Sequence, residues 1–203
     1  MLEYHRMPTE ERGTNVRRLF VAIPIPEELK REIVRVFSNV HLPRAERMRI
    51  VPEKNWHFTV IFLGDQEEET TGVIQDSMES VVASHGAGEI MITLEQIVYG
   101  PFSSRRDARG IWLTTDKESS RMIASIKNNL QNELQKRGVV WGEQEREYQG
   151  HLTLARFESV PIQTLPPLRI PVNRSYRAES LELVESHLSR EGAKYETISG
   201  VHF

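Results

Sequence analysis

Cysteine is absent from this chain. Its absence excludes a disulfide framework, a thiol nucleophile and cysteine-type zinc sites, and it suits a reducing compartment, so a cytoplasmic location is expected. Long apolar runs are missing too, and no membrane role is expected. The opening stretch MLEYHRMPTEERGTN is polar. It lacks the apolar core of a secretion signal, so residues 1–15 are expected to form a frayed extension ahead of a single domain over 16–203. An excess of positive charge is lacking as well. The net charge of −3 argues against broad, sequence-independent nucleic-acid binding, which draws on many Lys and Arg contacts with phosphates. There is no G-x-S-x-G, P-loop, Gly-rich dinucleotide fingerprint or H-E-x-x-H string. Histidines and acids must carry any chemistry.

Two histidine strings on strand-like segments stand out: His57-Phe58-Thr59 within WHFTVIFLG, and His151-Leu152-Thr153 within GHLTLARF. On a strand, residues two apart share a face, so each histidine and its threonine can meet one ligand atom. Chance alone gives about 0.4 H-x-T strings for this composition. The surroundings add weight. Alternation puts His57, Thr59, Ile61 and Leu63 on one face and Trp56, Phe58, Val60 and Phe62 on the other, a wholly apolar face suited to packing on a helix. Leu152 and Leu154 back His151 and Thr153 in the same way. The competing reading makes each histidine a buried strand residue satisfied by a carbonyl, with threonine present for its β propensity. Two matched contexts favour a shared site. His187-Leu188-Ser189 lacks such a matched back, so His187 is expected to be exposed and inert, and His5, His41, His85 and His202 to be solvated.

Hydrophobic patterning predicts a strand over 19–23 buried on both faces, then a helix started by Pro26 with Leu29, Ile33, Val36, Phe37 and Val40 inward. A short strand Met48–Val51 and the histidine strand Trp56–Leu63 follow, the latter closed by a Gly64-Asp65 turn. A helix is predicted over Thr70–His85, stopped by Gly86-Ala87-Gly88, then a strand Ile90–Tyr99, a polar loop Gly100–Gly110 and a strand Ile111–Thr114. Ser119 or Ser120 is expected to cap a helix with the stripe Met122, Ile123, Ile126, Leu130 and Leu134, ending at Gly138. The second histidine strand is Tyr148–Phe157. After it Pro161, Pro166, Pro167 and Pro171 read as a loop, and Ala178–His187 and Tyr195–Phe203 as a hairpin turning at Arg190-Glu191-Gly192. One βα unit with an H-x-T thus recurs in each half, which predicts two similar lobes and a cleft between them.

Two histidines without a metal suit displacement at phosphorus, one protonating the leaving oxygen while the other takes a proton from the attacking group. No acid lies at ligand spacing from either histidine. Asp65 and Glu158 could approach in space as a third metal ligand, but no metal is expected. The basic clusters Arg44, Arg47, Arg49 and Arg105, Arg106, Arg109 are candidates for RNA contact, or solvated loops.

These residues resemble the two-histidine (2H) phosphoesterase superfamily. His57-Phe58-Thr59 with Phe62-Leu63-Gly64, and His151-Leu152-Thr153-Leu154-Ala155-Arg156, are similar to its paired motifs, and within it to the bacterial and archaeal RNA 2′,3′-cyclic phosphodiesterases, the LigT/ThpR family, once described as 2′-5′ RNA ligases. The likeness runs from Arg17 onward, through Arg18–Ile23 with Pro26, Gly110-Ile111-Trp112-Leu113, and the stretch Ser186, Leu188, Gly192, Ala193 and Tyr195. It implies an α+β, bilobal fold with antiparallel sheets flanking a cleft and helices outside. It also implies hydrolysis of RNA 2′,3′-cyclic phosphate ends to 2′-phosphates without metal or cofactor. On this chain His57 would donate a proton to the departing 3′ oxygen and His151 would accept one from water, with Thr59 and Thr153 on the phosphate. The implied partner is an RNA 3′ end bearing the cyclic phosphate, and the expected state is a monomer. The rival readings are an enzyme of this fold acting on another cyclic nucleotide or a 2′-5′ linkage, ligation included, and a non-catalytic RNA-end binding module. Gly150 departs from the family, which commonly has proline there. Strict alternation from His151 turns Arg156 to the opposite face, so it reaches the phosphate only if a bulge intervenes, and a structural ion pair is the competing role.

Overall fold

The computed structural model describes residues 15–43, 46–85, 89–101, 107–142, 147–189 and 192–203. In chain order it contains β1 (Val16–Pro24), α1 (Glu27–Phe37), β2 (Arg49–Ile50), a 3-10 turn (Glu53–Asn55), β3 (His57–Glu67) and α2 (Thr70–His85). Then come β4 (Ile90–Gly100), β5 (Ala108–Thr115), α3 (Lys117–Lys136), β6 (His151–Val160), a second 3-10 turn (Ile162–Thr164), β7 (Arg169–Ala178), β8 (Ser180–Ser189) and β9 (Gly192–His202). All but one residue of the expected N-terminal extension, and the expected Gly86–Gly88 stop, lie outside the described residues.

The strands form two antiparallel sheets, ordered β3-β1-β8-β9 and β2-β6-β5-β4-β7. The α+β expectation holds. The two lobes are not the two halves of the chain, however: the terminal hairpin β8–β9 joins the sheet of β1 and β3, while β4 pairs with β5 and β7 in the other. Strand β1 is the central seam of the first sheet and is buried on both faces. Leu19, Val21 and Ile23 enter the main core, and Phe20 and Ala22 pack with Val184 and Tyr195 on the opposite side. Helix α2 spans Thr70–His85 as predicted and buries Ile74, Ser77, Met78 and Val81, which share one face at i, i+3, i+4 and i+7. It packs against α3, and both helices reach β3.

Several local expectations are corrected. Gly64-Asp65 is not a turn: β3 runs on to Glu67 against β1, and Gly64 takes a φ of 72° at an irregularity in the pairing. Neither Ser119 nor Ser120 caps α3. Asp116 does, accepting from the Ser119 amide at 2.8 Å, which frees the Ser119 hydroxyl to accept from the Thr93 amide at 2.8 Å. The loop expected up to Gly110 already contains the start of β5 at Ala108. The proline-rich loop hides β7, which tolerates Pro171 because it is the edge of its sheet and needs no donor on its outer side.

Gly110 sits where β5 meets β6, and a methyl group there would strike the carbonyl oxygen of Ala155. Backbone cannot yield as a side chain can. Gly110→Ala should therefore cost about 1–3 kcal/mol, read as a lower urea midpoint with unchanged slope. An unchanged midpoint would show that β5 and β6 can spread without penalty.

Candidate active site

Both histidine strands break alternation at the same place. On β3 the partners step from Ala22↔Thr59 to Val21↔Ile61, so Val60 is an extra residue; on β6 they step from Trp112↔Thr153 to Ile111↔Ala155, so Leu154 is. Consecutive residues then turn inward. Val60 and Ile61 are buried, as are Leu154 and Ala155, and the residue five beyond each histidine returns to the histidine face. On β6 that residue is Arg156. On β3 it is Phe62, which is 64% exposed rather than part of the buried apolar back that alternation predicted.

The two strands come together across a cleft of about 860 Å³ lined by His57, Thr59, Phe62, His151, Thr153 and Arg156. The four predicted site residues are thus brought to one place. Each imidazole is oriented in the same way. Its Nδ1 donates to the carbonyl two residues upstream, 2.8 Å to Asn55 for His57 and 2.8 Å to Gln149 for His151. A carbonyl only accepts, so Nδ1 keeps its proton and Nε2 is the nitrogen that gains or loses one. His57 Nε2 also lies 3.1 Å from Thr59 Oγ1.

The carbonyl anchors are themselves braced. Asn55 is buried and donates from Nδ2 to the Ala193 carbonyl at 2.9 Å, tying the turn before β3 to β9. Gly150 donates to Ser120 Oγ at 3.2 Å, and its carbonyl accepts from the Thr115 amide at 2.9 Å. A Cβ at Gly150 would run into Thr115 Oγ1. Proline, usual at this position in the resembled family, would lose the bond to Ser120 as well. Tyr148 crosses to the other strand, its hydroxyl donating to the Thr59 carbonyl at 2.7 Å, and burial pushes its phenol up so that it stays a neutral donor.

Burial is the main reason that both imidazoles resist protonation. It outweighs the favourable carbonyl bond and brings His57 down to about 4; the Arg156 charge, the other imidazole and Lys30 push in the same direction. His151 is lowered by burial and by Arg156. Arg156 therefore acts electrostatically on both rings, and among the described residues no carboxylate pairs with it as a structural ion pair would require.

The remaining sequence candidates separate. Arg49 and Ile50 of β2 line the cleft, whereas Arg47 is turned to Glu158 at 3.0 Å. Arg109 is not among the lining residues, and Arg44, Arg105 and Arg106 lie outside the described residues. Glu158 and Asp65, the acids that could have completed a metal site, do not line the cleft. His187 stands apart, with Nε2 3.4 Å from Glu196. Sequence reasoning missed the Phe20 ring stacked on His57 at 4.8 Å, the Tyr195 edge at 5.2 Å, and Trp112 stacked on His151 at 3.7 Å. None of these residues is near its partner histidine in sequence, and only the tertiary fold brings them there.

The family described as LigT-like phosphoesterase matches residues 23–112. Among curated relatives, the RNA 2′,3′-cyclic phosphodiesterase of Methanocaldococcus jannaschii is 28% identical over 186 residues, 89% of this chain and 98% of that one. The protein of the same name from Escherichia coli K12 is 26% identical over 179 residues, covering 88% and 92%. Escherichia coli LigT in complex with 3′-AMP superposes with a TM-score of 0.73 at 22% identity, over 93% of this chain and 98% of its own. A protein of Thermus thermophilus gives 0.72 at 22% identity, over 91% and 97%.

In an NMR titration of the free protein, the His57 ring should take up its proton near pH 4 and the His151 ring below the ordinary 6.5. Because Arg156 disfavours both charged rings, Arg156→Gln should move both midpoints upward. The unfolded chain binds the His57 proton earlier, so this histidine's contribution to stability is complete above about pH 6.5 and fades as pH falls through about 4. An ordinary midpoint for His57 would contradict its burial.

Proposed function

The chain belongs to the LigT-like phosphoesterases, and we propose that it opens 2′,3′-cyclic phosphates at RNA 3′ ends to 2′-phosphates. The observation that carries this reading is the pair of imidazoles presenting Nε2 to one cleft from opposite strands, each backed by a threonine and both under the Arg156 charge.

In this reading the cyclic phosphate lies between the rings. Water attacks phosphorus opposite the 3′ oxygen, and His151 Nε2 takes the water's proton. The bond from phosphorus to the 3′ oxygen breaks as His57 Nε2 delivers its proton to that oxygen, leaving the phosphate on the 2′ oxygen. The rings finish with protonation states exchanged and reset through solvent. Thr59, Thr153 and Arg156 hold the non-bridging oxygens, where negative charge accumulates in the transition state. No metal or cofactor takes part.

The low value of His57 fits a donor only if substrate raises it. A bound phosphodiester is an anion: it offsets Arg156 and favours the charged imidazole, so the acid is formed where the substrate sits. Phe62 and Ile50, 64% and 57% exposed in the cleft wall, offer apolar faces to a base without selecting its identity. RNA contact through Arg49 at the cleft edge fits a local grip on one 3′ end, in keeping with a net charge of −3.

The test is an oligoribonucleotide ending in 2′,3′-cyclic phosphate, incubated with the protein in EDTA, with the product end identified. Conversion to the 2′-phosphate is expected, and His57→Ala and His151→Ala should each cost at least about 10²-fold in kcat. Turnover that needs added metal, joined ends, cleavage of a 2′-5′ linkage alone, or retention of the cyclic end without conversion would each overturn the reading. Arg156→Ala should lower kcat/KM by about 10²-fold, as loss of a charged transition-state contact does.

A further inference from the structure

His151 shares its Nδ1 anchor with His57 but has a closer aromatic stack, 3.7 Å against 4.8 Å for Phe20 on His57. Where His57 Nε2 is met by the Thr59 hydroxyl, His151 lies flat on Trp112, ring centres 3.7 Å apart and planes inclined by 21°. One hydrogen bond at Nδ1 leaves an imidazole free to rotate about that bond, whereas a flat surface against its face sets the ring plane.

The position of Trp112 is set in turn from β4. Trp112 pairs with Thr153 on one side and Val98 on the other, so on its face of the sheet it stands diagonally between His151 and Gly100. A Cβ added to Gly100 would fall onto the indole, nearest to Cδ2, Cε2 and Cγ. The atom Cδ2 is bonded to three ring neighbours and can be approached only from above or below the ring. Gly100 therefore lies against one face of the indole, and the stacked imidazole takes the other.

We propose that Gly100 and Trp112 form a seat for His151, with Trp112 a positioning residue that fixes the imidazole plane and so aims Nε2 at the attacking water. The absence of a side chain at residue 100 is what lets the indole lie flat on the strand. Any methyl there lifts the indole into the imidazole and misdirects the nitrogen. Trp112 also lines the cleft, but tilting a proton acceptor by a fraction of an ångström costs rate more than substrate binding, which rests on Thr59, Thr153 and Arg156. The proposal rests on His151 being the proton acceptor.

Trp112→Leu should lower kcat about 10-fold to 100-fold with KM changed less than about threefold, and Trp112→Phe, which restores a flat ring, should recover most of the loss. Gly100→Ala should show the same kcat defect, and Gly100→Ala combined with Trp112→Leu should be no worse than Trp112→Leu alone, because the methyl then has no indole to displace. By NMR, the His151 ring protons should lose an indole ring-current shift in Trp112→Leu and change it in Gly100→Ala. Wild-type kcat in Trp112→Leu, or His151 resonances unmoved by that substitution, overturns the proposal even if Gly100→Ala fails to fold. The two readings fail separately: an active His151→Ala removes the acid–base reading, whereas an inactive His151→Ala beside a fully active Trp112→Leu removes the seat alone.

Discussion

One extra residue in each histidine strand governs this site. Val60 in β3 and Leu154 in β6 each occupy a bulge three residues after the histidine. A regular strand would send the fifth residue beyond each histidine into the core, burying the Arg156 charge without a partner and hiding Phe62. With the bulge, two successive apolar side chains share the inward position and the sixth residue of the string faces the cleft. The same local irregularity in two lobes yields a cation on one side of the cleft and an aromatic ring on the other.

Burial, more than that asymmetry, governs how the rings titrate. Burial disfavours the charged form of both imidazoles, and the nearby Arg156 charge adds to it. A bound anion would offset that charge and favour the protonated form of a ring beside it. The braces around the rings serve this arrangement. Asn55 reaches to β9, Ser120 to Gly150 and Tyr148 to Thr59, so that parts of the chain far apart in sequence set the two nitrogens jointly.

Much of the local structure was legible. The helical spacing of Ile74, Met78 and Val81 predicts α2, and the doubly apolar run around Val21 predicts a central strand. Errors arose where a local signal had two readings. Ser119 and Ser120 are good cap residues, but Asp116 stands one turn earlier and the serine hydroxyls serve other strands. Pro171 argues against a strand only if the strand is central, and β7 is an edge. Gly64 permits a turn and a bulge equally, and pairing with β1 chose the bulge.

The sequence by itself determined the candidate site residues His57, Thr59, His151 and Thr153, because H-x-T on a strand places an imidazole and a hydroxyl on one face by backbone geometry alone, and the flanking strings carry the resemblance to the LigT-like phosphoesterases. It could not determine that Arg156 and Phe62 join them, since a bulge is settled by what the neighbouring strand pairs with. Nor could it show that the final hairpin completes the first lobe, or that Trp112 and Phe20 press against the two rings. Strand order and cross-strand contact depend on burying apolar faces from the whole chain at once, and only the tertiary structure settles them.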